Sequence, residues 1–150
     1  MPHRFSPWWI VGSMLVLVMV GAQAIPYGKN HTNPPSMAEP LWDSPETRAV
    51  VKTACFDCHS NETNWPWYST IAPASWMMQR EVEAARAKLN FSEWRRGHDA
   101  REIEEALKRR MPLKFYARMN AHAKLGPSDR ISLMRGLTRT IELSDRQAGR

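Results

Sequence analysis

The sequence is poor in several features that define other classes of protein. Its 150 residues include only two cysteines, which excludes a disulfide-rich scaffold. Tyrosine and phenylalanine number 3 and 4, and no strand-like alternation of apolar and polar residues recurs, so an all-β sandwich is disfavoured. The 11 prolines rule out one long coiled coil. The length fits one domain of ordinary size.

Patterns that would point to a hydrolase or a nucleotide-binding enzyme do not stand out. No Ser/His/Asp order, catalytic pair of carboxylates or glycine-rich phosphate loop stands out in the sequence. The question whether the protein is an enzyme therefore stays open, with a non-enzymatic role favoured.

Residues 8–25 form an apolar segment without charge, preceded by Arg4. Eighteen such residues are at the lower limit for crossing about 30 Å of hydrocarbon. The segment is either a retained signal-anchor or a signal peptide cleaved after Ala24, because Ala22-Gln23-Ala24 has the small residues of a cleavage site. Trp8, Trp9 and Tyr27 at its ends favour the anchor. Both alternatives place the chain from about Pro26 outside the cytoplasm.

We expect three parts along the chain: the N-terminal segment at 1–25, an extended proline-rich linker or strap at 26–43, and a helical domain at 44–150. Four helices are predicted in the domain. The first begins at Ser44-Pro45 and runs toward Cys55, and the second begins near Pro73. The third begins at Asp99 and ends at Arg110 or Met111, and the fourth begins near Pro127. The predicted fold class is all-α.

Cys55-Phe56-Asp57-Cys58-His59 has the spacing C-x-x-C-H, which is typical of c-type haem attachment. Two thiols three residues apart at a helix end share a face, so both reach one edge of a porphyrin. The next residue, His59, then lies beneath the iron as the proximal ligand. The motif predicts one covalent haem c.

Other chemistries for the two cysteines fit less well. A thioredoxin-like redox pair is expected in a βαβ setting, which is not predicted here. A structural zinc site needs four ligands, and the sequence has no second cysteine pair. A plain disulfide in an oxidising compartment is the remaining alternative.

The chain from Ile25 to about Leu137 resembles the bacterial haem-binding domain family. The matching stretches are Asn33-Pro34-Pro35, Trp42 to Pro45, Cys55 to Tyr68, Ile71-Ala72-Pro73, Leu89 to Trp94 and Met111-Pro112. The resemblance implies a monohaem, cytochrome c-like helical domain of a small membrane-associated protein. From the N-terminal segment we expect it at the inner membrane facing the periplasm, or free in the periplasm if the segment is cleaved after Ala24. Leu113 stands where the family usually has a second proline, and Asn120-Ala121 replaces a frequent His-Pro.

Met111 is the leading candidate for the sixth iron ligand. It precedes Pro112 at the end of a predicted helix, 52 residues after His59, and a thioether raises the reduction potential of haem iron. Met119 and His122 are the fallback ligands. His31 and His98 are expected at the surface.

Four aromatic residues are expected to line the haem pocket: Trp65, Trp67, Tyr68 and Trp76. The sparse apolar faces of the predicted helices also indicate that a large apolar ligand completes the core.

The positive charge lies in the second half of the chain. After Trp76 there are 17 basic and 10 acidic residues. These charges either form a solvated surface or have a binding role. In the second case they bind an acidic redox partner or anionic lipid, or pair with the haem propionates. Nucleic acid is disfavoured as a partner because the domain is exported.

Two functions from different classes follow. The first is one-electron transfer in the periplasm or at the membrane, with redox proteins as partners. The second is a haem enzyme or a gas or redox sensor, in which the sixth coordination site is open. An accessory haem module of a larger complex is a third alternative.

Overall fold

The computed structural model describes residues 7–95, 97–109 and 111–148. Within these ranges there are seven α-helices, two short 3₁₀ turns and no strand, which confirms the predicted all-α class. The helices are α1 (Pro7–Ala22), α2 (Pro45–Ala54), α3 (Phe56–His59), α4 (Ala74–Lys88), α5 (Ala100–Arg109), α6 (Lys114–Met119) and α7 (Pro127–Ala148). The 3₁₀ turns cover Trp67–Thr70 and Ala121–Ala123.

The chain divides into two compact units. One comprises Met1–Thr32 and Trp65–Glu81, and the other comprises Asn33–Asn64 and Val82–Arg150. We refer to them as the α1 unit and the haem-motif unit, since the second contains Cys55 to His59. The predicted bounds at residues 25 and 43 stay predictions.

Helix starts follow the local signals in the sequence. Ser44 caps α2, because its hydroxyl accepts a hydrogen bond from the Thr47 N–H at 3.1 Å and Pro45 occupies the first turn. Asp99 precedes α5 and its carboxylate accepts from the Arg101 N–H at 2.8 Å. The predicted end of this helix at Arg110 lies outside the described residues, and α5 extends to Arg109.

The core of the haem-motif unit is one apolar cluster to which α2, α3, α5 and α7 contribute. Its buried members are Val51, Phe56, Phe91, Leu107, Leu133 and Leu137. Burial of such side chains stabilises a fold by about 1.5–3 kcal/mol each. The cluster fixes α2 and α3, and therefore the motif, against α7.

Residues 33–43 run along this unit without helical structure. The N–H groups of Met37 and Ala38 donate to the Ser92 carbonyl at 2.8 and 3.1 Å, and the Trp94 N–H donates to the Ala38 carbonyl at 3.0 Å. Leu41 N–H donates to the Ser144 hydroxyl. These hydrogen bonds hold the segment as a strap on the unit.

In the α1 unit, helix α1 has no buried residue. Its end is tied to the chain near Ala72: the Gln23 side chain donates to the Ala72 carbonyl at 3.0 Å and accepts from the Ala72 N–H at 3.1 Å. Across the part of the chain that the structure describes, no helix combines the length and the apolar character needed to cross a membrane. The transmembrane anchor stays a prediction.

Candidate haem site

The C-x-x-C-H motif forms a tight helical turn between two helices. Cys55 ends α2 and begins α3, and its carbonyl accepts from the N–H groups of Cys58 and His59 at 3.1 and 2.8 Å. Both cysteines are free thiols. Burial, reinforced by the neighbouring Cys58 and Asp57, raises the pKa of the Cys55 thiol to about 12. The turn therefore presents two free thiols and an imidazole from five consecutive residues.

The His59 ring is oriented by the backbone of another segment. Its Nδ1 lies 2.9 Å from the Leu89 carbonyl oxygen, which can only accept, so Nδ1 carries the proton. Burial lowers the pKa of His59, although the Leu89 carbonyl opposes this shift. The ring is thus neutral near pH 7, and its Nε2 holds the lone pair that a metal ligand needs.

Phe91 packs beside this turn. Its N–H donates to the His59 carbonyl at 2.8 Å. Its ring stacks on Phe56 at 5.8 Å between centroids and meets the His59 imidazole edge-on at 6.5 Å. Phe91 therefore supports both the backbone and the ring of His59.

Arg86 fixes the chain that follows His59. Its guanidinium donates to the Ser60 carbonyl at 2.8 Å, the Thr63 hydroxyl at 2.9 Å and the Asn33 side-chain oxygen at 3.0 Å. Burial lowers the pKa of Arg86. This side chain joins the strap, the motif and α4 at one point.

Asp57, between the two cysteines, connects the motif to the α6 region. Its Oδ2 accepts from the Tyr116 hydroxyl at 2.5 Å and lies 2.9 Å from His122 Nε2. Its Oδ1 accepts from the Asn64 N–H at 3.0 Å. The Asp57 carboxylate thus links the motif to Tyr116 and His122, which lie 59 and 65 positions further along the sequence.

Among the predicted sixth ligands, Met111 is placed differently from the two alternatives. Met111 is half-buried and packs, like Cys55, against the apolar cluster. Met119 is 52% exposed. His122 is also exposed, and its Nε2 faces Asp57.

The haem-binding domain family model matches residues 17–139. The chain belongs to the haem-binding domain family. No match is found among curated proteins or among solved structures. The match covers all the residues of the C-x-x-C-H turn together with Leu89, Phe91 and Met111.

The donor set of this haem-binding domain fits a c-type haem. Two free thiols share one helical turn with a neutral histidine whose Nδ1 is held by a carbonyl. The described residues contain no group of three or more His, Cys, Asp or Glu side chains arranged to hold a metal ion. Covalent attachment and the single haem stay predictions.

The predicted pocket-wall residues all belong to the α1 unit, so their role at the haem stays a prediction. Tyr68 is buried, Trp67 is 74% exposed, and Trp65 stacks on His31 at 4.6 Å between ring centroids. The indole N–H groups of Trp65 and Trp76 are buried without a hydrogen-bond partner among the described residues.

The expectation that two histidines lie at the surface is wrong, because both are half-buried. His31 stacks on Trp65, and its Nε2 lies 3.0 Å from the Ser69 carbonyl oxygen. His98 packs on Trp94 at 4.6 Å between ring centroids. A neighbouring tryptophan therefore covers part of each imidazole ring.

Several residues of the site had no signal in the sequence. The Leu89 carbonyl is a backbone group that any residue could supply, and Asp57, Tyr116 and Arg86 meet their partners only in the folded chain. The one available signal was the resemblance of the Leu89 to Trp94 stretch to the family.

Proposed function

We propose that this haem-binding domain is a one-electron carrier that holds a single haem c. Cys55 and Cys58 would form the thioether bonds, and His59 and Met111 would be the two protein ligands of the iron. The observation that carries the proposal is the hydrogen bond between His59 Nδ1 and the Leu89 carbonyl, inside a turn with two free thiols. When bound, the haem supplies reversible one-electron chemistry at its iron.

The chain's own residues prepare this site. The Cys55 and Cys58 thiols lie on one helical turn, so they match one edge of a porphyrin. The Leu89 carbonyl selects the tautomer of His59 and increases the basicity of the other ring nitrogen. Burial favours the neutral ring and thereby avoids a proton that would compete with iron.

Met111 is the proposed sixth ligand because of its position. It is half-buried against the cluster that Cys55 also contacts, whereas Met119 is mostly in solvent. His122 has its Nε2 committed to Asp57. A thioether ligand favours the reduced state and raises the reduction potential.

Optical spectra of the purified haem protein test the proposal. The reduced wild type should not bind carbon monoxide, whereas Met111→Ala should bind it and should have a lower reduction potential. Met119→Ala and His122→Ala serve as matched controls and should behave like the wild type. If the wild type already binds carbon monoxide and Met111→Ala changes nothing, the site is open and a haem enzyme or sensor is the better interpretation.

We also propose that the domain works outside the cytoplasm and that the N-terminal segment is retained. Cleavage after Ala24 would remove Gln23 and its two hydrogen bonds to the backbone of Ala72, a residue with no exposed surface. Losing partners for buried backbone groups is costly. The intact mass of the mature protein distinguishes a retained segment from a chain that begins at Ile25.

An acidic redox protein is the proposed partner. Lys108 and Arg109 of α5 pair with Glu104 and Glu105 at 2.6 and 3.0 Å, so their charge is partly neutralised. We therefore place the docking face on α7, where Arg135 and Arg139 are exposed. Electron transfer to an acidic protein should slow with rising salt, and Arg135→Glu/Arg139→Glu should slow it more than Lys108→Glu/Arg109→Glu.

A further inference from the structure

The backbone around Met111 lies beyond the regular part of α5. The Met111 N–H donates to the Ala106 carbonyl at 2.9 Å, five residues back, and Pro112 has no N–H to offer. Carbonyls at a helix C-terminus lack partners within the helix. The carbonyls of Leu107 and Met111 therefore need donors from elsewhere in the fold.

Arg130 supplies both donors. Its Nη1 lies 2.6 Å from the Leu107 carbonyl oxygen and 2.7 Å from the Met111 carbonyl oxygen. A guanidinium is planar and its N–H directions are fixed, so two carbonyls held by one nitrogen are fixed relative to each other. The positive charge also complements the negative end of the α5 dipole.

Arg130 is itself on a rigid support. It lies in the first turn of α7, where its N–H donates to the Gly126 carbonyl at 3.0 Å. The next turns of this helix place Leu133 and Leu137 in the apolar cluster. The α7 helix thus connects the Met111 carbonyl to the core against which Cys55 packs.

The other side of the Met111 segment is tied to the motif. After Pro112, helix α6 brings Tyr116 to Asp57, the residue between Phe56 and Cys58. Met111 therefore lies between two anchors, Arg130 on one side and the Asp57 contact on the other.

We propose that Arg130 is the positioning residue for the Met111 thioether, and this proposal rests on Met111 being the sixth ligand. Arg130 holds Met111 by its carbonyl oxygen. By fixing the Met111 carbonyl, Arg130 sets the direction of the Met111 side chain. The thioether is therefore held in one position, which a flexible loop would not do. Small displacements of a ligand or reacting group have large effects on its effective concentration.

The test uses the full-length haem protein with Arg130→Met, Arg130→Lys and, as a matched control, Arg146→Met on the exposed side of the same helix. Three properties are measured at a temperature where circular dichroism shows each variant folded. These are the thioether–iron absorption band of the oxidised protein, the reduction potential, and carbon monoxide binding to the reduced protein.

Arg130→Met should weaken the thioether–iron band, lower the potential and increase the carbon monoxide association rate by about tenfold or more. Arg130→Lys should restore part of each property, because an ammonium can reach a single carbonyl, and Arg146→Met should match the wild type. A variant Arg130→Met that is less stable but keeps the band, the potential and the slow carbon monoxide reaction would overturn the proposal. The result is different if Met111 is not the sixth ligand. In that case the spectrum of Met111→Ala is the same as that of the wild type.

Discussion

Gly136 of α7 packs so closely against Thr47 of α2 that a Cβ at position 136 would lie 2.2 Å from the Thr47 hydroxyl oxygen and 2.8 Å from its methyl carbon. Thr47 is buried in the first turn of α2, the helix whose C-cap is Cys55. The missing side chain of Gly136 therefore sets the distance between α7 and the helix that carries the haem motif.

Gly136→Ala should lower the free energy of unfolding by about 1–3 kcal/mol, because overpacking outweighs the roughly 1 kcal/mol that alanine gains in a helix. Chemical denaturation measures the change. Adding Thr47→Ala removes the atoms in the way, so the double variant should lose less than the sum of the two single changes. Gly126→Ala is the control, since its Cβ would meet only the Asp129 and Ser128 side chains, at 3.2 Å or more. Additive effects at positions 47 and 136 would contradict the close contact.

The contact between Asp57 and Tyr116 should be visible in a double-variant cycle. Tyr116→Phe and Asp57→Asn should each lower the free energy of unfolding by about 1.5–3 kcal/mol, as expected for hydrogen bonds to a charged group. The two effects should be less than additive by about 1 kcal/mol, because both changes remove the same bond. Independent effects would show that Tyr116 and Asp57 do not interact in solution.

Phe91→Ala should be the most damaging single truncation near the site. The ring is 2% exposed and contacts Phe56, Trp42 and Trp94 at centroid distances of 5.8, 5.5 and 6.0 Å. Loss of a buried phenylalanine costs about 3–5 kcal/mol. Phe115→Ala, at a position 49% exposed, is the matched control and should cost much less. Equal destabilisation by the two variants in thermal unfolding would contradict the assignment of Phe91 to the core.

Covalent attachment has a direct chemical test. After denaturation and organic extraction, the haem should stay with the wild-type polypeptide. It should be released completely from Cys55→Ala/Cys58→Ala, and each single variant should retain it through one thioether bond. Complete extraction from the wild type would show that the haem is held without covalent bonds.

His98 should make stability depend on pH below neutrality. Burial against Trp94 lowers its pKa in the folded chain, although Asp145 and Glu102 oppose the shift and Arg95 adds to it. The unfolded chain therefore binds more protons just below the ordinary histidine pKa of about 6.5. Stability is full above that pH and falls as the pH drops toward the lower folded-state pKa.

The variant His98→Phe isolates this contribution. The loss of stability of the wild type between about pH 7 and pH 5.5 should exceed that of His98→Phe when both are measured by chemical denaturation. Parallel pH profiles for the two proteins would mean that the His98 pKa is not lowered in the folded state.

Signals carried by a few neighbouring residues predicted the helices well. Ser44-Pro45 marks the beginning of α2 because an N-cap acts on its own first turn. The same holds for the beginning of α7 at Pro127. Helix α6 was not predicted, since its six residues are too few for a recognisable apolar period.

The candidate site was predicted only where its chemistry depends on side-chain type and spacing. Two cysteines and a histidine at fixed spacing indicate the haem motif without knowledge of the fold. The contacts that orient them join distant parts of the chain: His59 to Leu89, Asp57 to Tyr116, and Arg130 to Met111. Such pairings depend on helix packing, for which a single sequence has no local signal.

The double attachment of His59 has a consequence for the proposed electron transfer. Its ring nitrogen is held by the Leu89 carbonyl, and its own carbonyl accepts from the Phe91 N–H, so one short segment fixes the residue at two points. Groups that are already oriented need little rearrangement when the charge beside them changes. We therefore expect a low reorganisation energy beside His59 when the haem is bound, set by backbone atoms that are independent of side-chain type except at Phe91, where a proline would remove the N–H.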